Sequence, residues 1–345
     1  MSSSPAISPD TTIAIEGAGI IGLSIAWGLI RRGFRPIIYD PGVDQGKASW
    51  AAAGMLSAGF EALIEPDFSK DLHHLAAHSL RLWPEFSATL ESDSGQHIFF
   101  QHGPTLGLLP QESLSLLQKD ERVPGAIRLS DPAMALSYVP ELNARGKEMV
   151  LFEDDAQVDN RAVLKALKTV CQPFFARERK ALTEADILVS CRGWQSHDVR
   201  PVKGQMLSIK PRADHPKIPV RWGAAYIVPK PDRVIIGATV EPDETDLTTQ
   251  SERLDAMFAD AIAFCPTLGH DVERIEEWAG LRPMARRQRP MIGWVSANNY
   301  VATGHYRNGI LLAPATADLV IRDLLGEVDE NESVLADLRP DQVSL

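Results

Sequence analysis

The chain has 345 residues, enough for two domains with sizeable cores, and its 44% hydrophobic content is that of an ordinary globular protein. A formal charge of −11 with no broad basic face excludes nucleic acid or an anionic membrane as the main partner. Cys171, Cys191 and Cys265 show no Cys-x-x-Cys spacing, which reads as reduced thiols in a cytoplasmic protein without a disulfide framework.

Residues 1–10 are polar and proline-containing, the composition of a loose tail rather than a signal peptide. Residues 13–30 are apolar enough to suggest a membrane span, but Glu16, the glycines and Arg31-Arg32 fit a buried strand, turn and helix. The reading is therefore a strand at 11–16, a helix at 20–32 ended near Gly33, and a second strand at 35–39 closing with Asp40. Small side chains follow at 48–56, then a helix at 72–90 and a less regular stretch at 98–140. A helix at 161–171 precedes a parallel-type strand at 187–191. From 202 to 240, short strands separated by prolines give the punctuation of an antiparallel sheet. A helix at 251–264, a strand at 300–303 and a closing helix at 314–325, with proline at an early position, complete the chain. The expected fold is α/β, with a discontinuous Rossmann-type domain (1–85, 141–200 and 278–345). An α+β substrate domain on a mainly antiparallel sheet (86–140 and 201–277) is interleaved with it.

Gly17-Ala-Gly-Ile-Ile-Gly22 follows the first strand and opens the first helix. Gly17 permits the tight turn, Gly19 lets backbone approach a pyrophosphate, and Gly22 lets the helix pack closely on the strand. The helix N-terminus at Ile20 and Ile21 then faces the phosphates. Asp40, eighteen residues past Gly22, stands where a carboxylate takes the adenosine ribose. The loop alone does not separate FAD from NAD, and Glu16 has no role in this scheme.

The segments Ala48-Ser-Trp-Ala-Ala-Ala-Gly-Met-Leu56, Pro201-Val-Lys-Gly-Gln-Met-Leu207, Tyr226-Ile-Val-Pro229, Gly237-Ala-Thr239, Trp278-Ala-Gly-Leu-Arg-Pro283 and Gly304-His-Tyr-Arg-Asn-Gly309 occur in this order. With the glycine loop they resemble the D-amino-acid oxidase family over residues 12–325, and the last segment resembles its glycine-oxidase branch. The resemblance implies FAD, oxidative deamination of glycine and related small amines with O2, and a place in making the thiazole of thiamine. It implies cofactor contacts at Ser49, Ala52, Ala53, Gly54 and Met55, at Gly193, and along Gly304, His305, Tyr306, Arg307, Asn308, Gly309 and Ile310. Attachment is expected to be non-covalent, because relatives that link FAD use a cysteine near the position of Pro283 and residues 278–290 contain none. Three departures stand out: a short connection between Cys171 and Ile187, Met284-Ala-Arg-Arg-Gln-Arg-Pro290 in place of a glycine-rich turn, and Gly223-Ala-Ala225 before Tyr226. The latter two bear on substrate preference rather than on the chemistry.

A flavin oxidising an amino acid needs the substrate Cα–H held near N5, and no protein base if the amine is neutral. A carboxylate handle is best gripped by a guanidinium fork. Arg282 is the candidate clamp, the Tyr226 hydroxyl its second donor, and by resemblance Arg307 lies at the pocket edge. The closing helix would direct its positive end toward flavin N1 and O2. His73, His74 and His78 read as a solvated helix face, Arg286, Arg287 and Arg289 as a charged surface loop, and no metal site is expected. A D-amino-acid dehydrogenase or sarcosine-like oxidase of the same fold, and a non-catalytic FAD-binding protein, stay open, as does a homo-oligomer.

Overall fold

Ile13–Glu16 is buried at every position and lies between two parallel partners, Ile37–Tyr39 and Ile187–Ser190. A strand covered on both faces has no polar side to present, so it reads as a continuous apolar run. Asn299–Thr303 adds in parallel beyond Ile187–Ser190, and Met291–Ser296 closes that edge antiparallel. The five-stranded sheet thus draws its strands from the start, middle and end of the chain. The computed structural model describes residues 8, 10–64, 69–113, 126–129, 132–328 and 333–340, so most of the expected N-terminal tail lies outside the described residues.

Helix Ile20–Arg31 packs on this sheet and against Gly309–Leu324, with Lys70–Ser94 and Asn160–Cys171 completing the layer. Ile20, Leu23, Ile25, Trp27 and Leu29 enter one core with Trp83, Leu311, Leu312, Leu319 and Val320.

The closing helix corrects the sequence reading. It starts at Gly309 rather than at 314, so Pro314 lies in its interior. An interior proline breaks the ladder of i to i−4 hydrogen bonds, and here a neighbouring helix repairs it. The buried Ser79 hydroxyl donates to the Leu311 carbonyl at 2.7 Å and accepts the Ala315 N–H at 3.1 Å. Trp83 Nε1 donates to the same carbonyl at 3.0 Å. A side chain inserted into the ladder holds both broken ends.

The second sheet runs Glu241–Pro242, Val199–Ile209, Val234–Gly237, Ala225–Pro229, Val220–Trp222, Thr105–Leu109, Glu148–Phe152, Ala126–Leu129, with Arg274–Ala285 beside Val199–Ile209. Every pairing is antiparallel except Val220–Trp222 with Thr105–Leu109. The architecture is therefore a Rossmann-type layer beside a mainly antiparallel one. Glu148–Phe152 lies inside the expected cofactor span 141–200 and Arg274–Ala285 crosses the expected boundary at 277/278, yet both pair into the antiparallel sheet. Backbone pairing rather than chain position decides which layer a strand joins. Met55–Leu56, Ala156–Val158 and Phe100–His102 form a small third sheet.

The short connection after Cys171 holds two 3₁₀ turns, Gln172–Phe174 and Arg179–Glu184, and one bridge from Phe175 to Ile38. No described helix is long and apolar enough to cross a membrane. His74 and His78 lie on an exposed helix face, whereas His73 turns inward and is buried. In the arginine loop, Arg289 is an ion-pair partner of Asp337.

Candidate active site

A cleft of about 590 Å³ runs between the two large sheets. That volume is in the range of small-molecule and cofactor sites. It is lined by Asp40, Val43 and Lys47, by Gly17, Gly19, Ile20, Ile21 and Ser49, and by Tyr226, Arg282 and Arg307.

Around the glycine loop the sequence dictates backbone shape. Gly17 has φ +109°, and a Cβ there would sit 2.4 Å from the Cys191 carbonyl oxygen. Gly22 does not line the cleft; a Cβ there would lie 2.0 Å from the Gly17 carbonyl oxygen, so this glycine shapes the loop from beneath. Asp40 accepts the Ala18 N–H at 2.6 Å, the Gly42 N–H at 2.9 Å and Lys47 Nζ at 2.6 Å. Burial pushes its carboxyl upward, but the Lys47 bond and the two backbone donors outweigh burial and hold it below the usual carboxylate range. Ser49 Oγ accepts the Ile20 N–H at 3.0 Å at the helix start.

The small-residue stretch is helical only over Ala48–Ala51, then extended. It packs on the strand that carries Arg282: a Cβ on Gly280 would meet Ala51 Cβ at 2.2 Å, and Trp278 Nε1 donates to the Ala51 carbonyl at 3.0 Å. Asn160 Nδ2 donates to the Ser49 carbonyl at 2.8 Å. Ala52, Ala53, Gly54 and Met55 thereby line the cleft beside Gly193. Across from them run Gly304, His305, Tyr306, Arg307, Asn308, Gly309 and Ile310. The His305 ring sits 3.1 Å from Thr316 Oγ1 through Nε2, and burial pushes its imidazole down to about 3, so it is neutral. The helix Gly309–Leu324 begins here with no side-chain cap, leaving its positive end toward the cleft.

Elsewhere in the cleft, two glycines make room for the Arg282 and Tyr226 side chains. A Cβ on Gly204 would lie 2.2 Å from Arg282 Nη2, and one on Gly237 would lie 2.6 Å from the Tyr226 hydroxyl. Arg282 Nη1 donates to the Thr239 carbonyl at 3.2 Å. Burial lowers the Arg282 pKa, Arg307 pushes the same way, and Tyr226 opposes. Burial raises the Tyr226 phenol, with Arg282, Arg221 and Arg307 opposing. A desolvated guanidinium beside a neutral hydroxyl donor is suited to a carboxylate.

Several cleft residues escaped the sequence reading. Glu16 accepts Arg179 Nε at 2.9 Å and lies 3.8 Å from Arg192 Nε, so it anchors two arginines at the edge of the glycine loop. Lys47 is the partner of Asp40. Arg221 is cross-strand partner to Tyr226 through a two-residue hairpin, and it pairs with Glu61. A charged residue in the apolar strand Val220–Trp222 was a signal for the last; nothing local marked Glu61 or Arg179.

A family model for DAO-type FAD-dependent oxidoreductases matches residues 12–322. The chain belongs to this family. Among relatives of this oxidoreductase, glycine oxidase of Pseudomonas aeruginosa is 28% identical, over 89% of this chain and 93% of its own length. The bifunctional ThiO/ThiG protein of Trichormus variabilis is 29% identical over 89% of this chain and 52% of its own length. The crystal structure of glycine oxidase from Geobacillus kaustophilus superposes with a TM-score of 0.82 at 26% identity, covering 92% of this chain and 95% of that one. The cleft fits the family's cofactor. The glycine cradle leaves room for a pyrophosphate at a helix N-terminus, Asp40 lines the cleft beside that loop, and small residues bring backbone to the cleft wall.

Proposed function

We propose that this oxidoreductase deaminates glycine and related small amines, holding FAD without a covalent bond and using O2 as acceptor. Hydrogen peroxide, ammonia and glyoxylate, through hydrolysis of the imine, would be the products, in service of the thiazole part of thiamine. The observation that carries this reading is the half-buried Arg282 beside the buried Tyr226 in the same cleft as the glycine loop. The names of the relatives support it. Three buried free thiols, Cys171, Cys191 and Cys265, fit a reducing, cytoplasmic setting.

When bound, FAD supplies the acceptor for hydride from the substrate's α-carbon. The Gly17–Gly19 loop and the start of helix Ile20–Arg31 would hold the pyrophosphate, and Asp40 the ribose. Backbone at Ala52–Met55 and Gly304–Ile310 would hold the flavin, and the start of Gly309–Leu324 would favour negative charge there. Arg282 and Tyr226 grip the substrate carboxylate, and Arg307 closes the edge. Catalysis in this reading is largely positional.

Purified protein should be yellow and bleach on anaerobic addition of glycine, with sarcosine and D-alanine ranking the alternatives. Denaturation by acid should release all the flavin into the supernatant. No bleaching with any small amine would overturn the oxidase reading, and colour retained on the precipitated chain would overturn non-covalent binding.

A further inference from the structure

The carbonyls that hold the Arg282 fork are themselves held by one buried network. Arg282 lies opposite Val202 on the neighbouring strand, and its guanidinium crosses Gly204, where a Cβ would sit 2.2 Å from Nη2. Beyond Gly204, Nη1 donates to the Thr239 carbonyl at 3.2 Å and to the Lys203 carbonyl at 3.4 Å. Thr239 belongs to no strand, so no sheet ladder fixes its carbonyl. Along this edge of Val199–Ile209, Lys203 pairs with Glu241 and Leu207 with Ile236, so residues 204–206 face residues 237–240. The second stretch is one residue longer, which turns backbone out of the ladder as a β-bulge does. Gln205 closes the gap. Its N–H donates to Thr239 Oγ1 at 2.8 Å, and its carbonyl accepts the Thr239 N–H at 3.2 Å.

The Gln205 side chain is fully buried and is bonded at both ends. Nε2 donates to Glu241 Oε1 at 2.8 Å, and the same oxygen accepts the Thr239 hydroxyl. Oε1 accepts the Gln250 N–H at 2.6 Å, just before helix Ser251–Phe264. Lys203, also buried, donates through Nζ to the Thr248 carbonyl at 2.8 Å. The segment 243–250 is therefore tied to the two residues that support Arg282. Within it Thr245 and Leu247 line the cleft, and Leu247 covers Gly46, where a Cβ would sit 2.3 Å from Leu247 Cδ1.

We infer that Gln205 is the positioning residue of the carboxylate clamp: it aims the Arg282 fork through Thr239 and ties that fork to the cleft wall at 243–250. The inference rests on Arg282 as the carboxylate grip, as proposed above. A guanidinium makes two parallel bonds to a carboxylate only when its plane is aimed at both oxygens. The long arginine side chain turns about several bonds, so its place on the strand does not set that plane. Fixed carbonyls on Nη1 do. Because Gln205 holds both Thr239 and Gln250, an anion that fixes the fork also steadies 243–250, and the coupling runs both ways.

The test compares FAD-loaded wild type with Thr239→Val, Thr239→Ser and Gln205→Met, by glycolate titration and by anaerobic reduction with a glycine series. Thr239→Val keeps the shape but removes the hydroxyl that Gln205 and Glu241 share. Affinities for glycolate and glycine should fall together, roughly 3- to 10-fold, as for one lost hydrogen bond. Thr239→Ser restores the hydroxyl and should bind like wild type. Gln205→Met, similar in volume, should weaken both ligands by a comparable factor. Hydrogen exchange supplies the readout that a merely structural role would not move. Saturating glycolate should slow amide exchange over 243–250 in wild type and leave it unchanged in Gln205→Met. Wild-type glycolate affinity in Thr239→Val, or glycolate protection of 243–250 that persists in Gln205→Met, would overturn the positioning role. Should Gln205→Met fail to fold, the Thr239 pair decides. If Arg282→Ala binds glycolate as wild type does, the clamp reading itself fails, and the inference with it.

Discussion

Replacing Gly204 with alanine moves the Arg282 guanidinium without deleting it. The new Cβ would stand 2.2 Å from Nη2 and 2.5 Å from Cζ and Nη1. Carbon contacts relax near 3.5–4.0 Å, so the fork must retreat by about 1.3–1.8 Å. It ends a flexible side chain, so it yields before the Gly204–Gly280 strand pairing does. A displaced fork keeps its charge but forfeits one of two parallel bonds to a carboxylate. A hydrogen bond to a charged group contributes about 1.5–3 kcal/mol, which is a roughly 10- to 150-fold weaker affinity. Arg282→Ala should cost more, roughly 2–5 kcal/mol, because an enclosed anion loses its partner altogether. Tyr226→Phe should cost less, about 0.5–1.5 kcal/mol for one neutral donor. The assay is titration of FAD-loaded protein with glycolate, a carboxylate without an amine, followed by flavin absorbance. Thermal melting serves as a control for folding. If Gly204→Ala melts like wild type and binds glycolate equally well, the clamp argument fails; if Arg282→Ala also does, Arg307 is the first alternative.

Two further substitutions test other parts of the scheme. Asp40→Ala removes a carboxylate that organises Ala18, Gly42 and Lys47 at the expected ribose position. FAD affinity of the apoprotein, read by fluorescence quenching, should weaken by about 1.5–3 kcal/mol, and an unchanged value would mean that the ribose lies elsewhere. Ser79→Ala leaves the buried Ala315 N–H without its acceptor. Unfolding stability in denaturant should fall by about 1–3 kcal/mol, and no loss would refute the repair of the helix at Pro314.

The sequence by itself determined the βαβ start, because Gly17, Gly19 and Gly22 answer local steric demands and Ile13–Ile15, covered on both faces, must be apolar. It likewise placed Arg282 and Tyr226 as candidates, since a guanidinium and a phenol among small residues have a recognisable chemistry, and family resemblance added Arg307. It misread the closing helix, because proline's local rule marks a helix start and only Ser79, 232 residues away from Leu311, makes an interior proline tolerable. It could not assign Glu16, whose arginine partners Arg179 and Arg192 come from elsewhere in the chain. Tertiary structure alone brought Ser57 to Thr105 and Glu61 to Arg221. Backbone geometry and hydrophobic period are written within a few residues of each position. A buried charge takes its meaning from whatever partner the finished fold sets beside it.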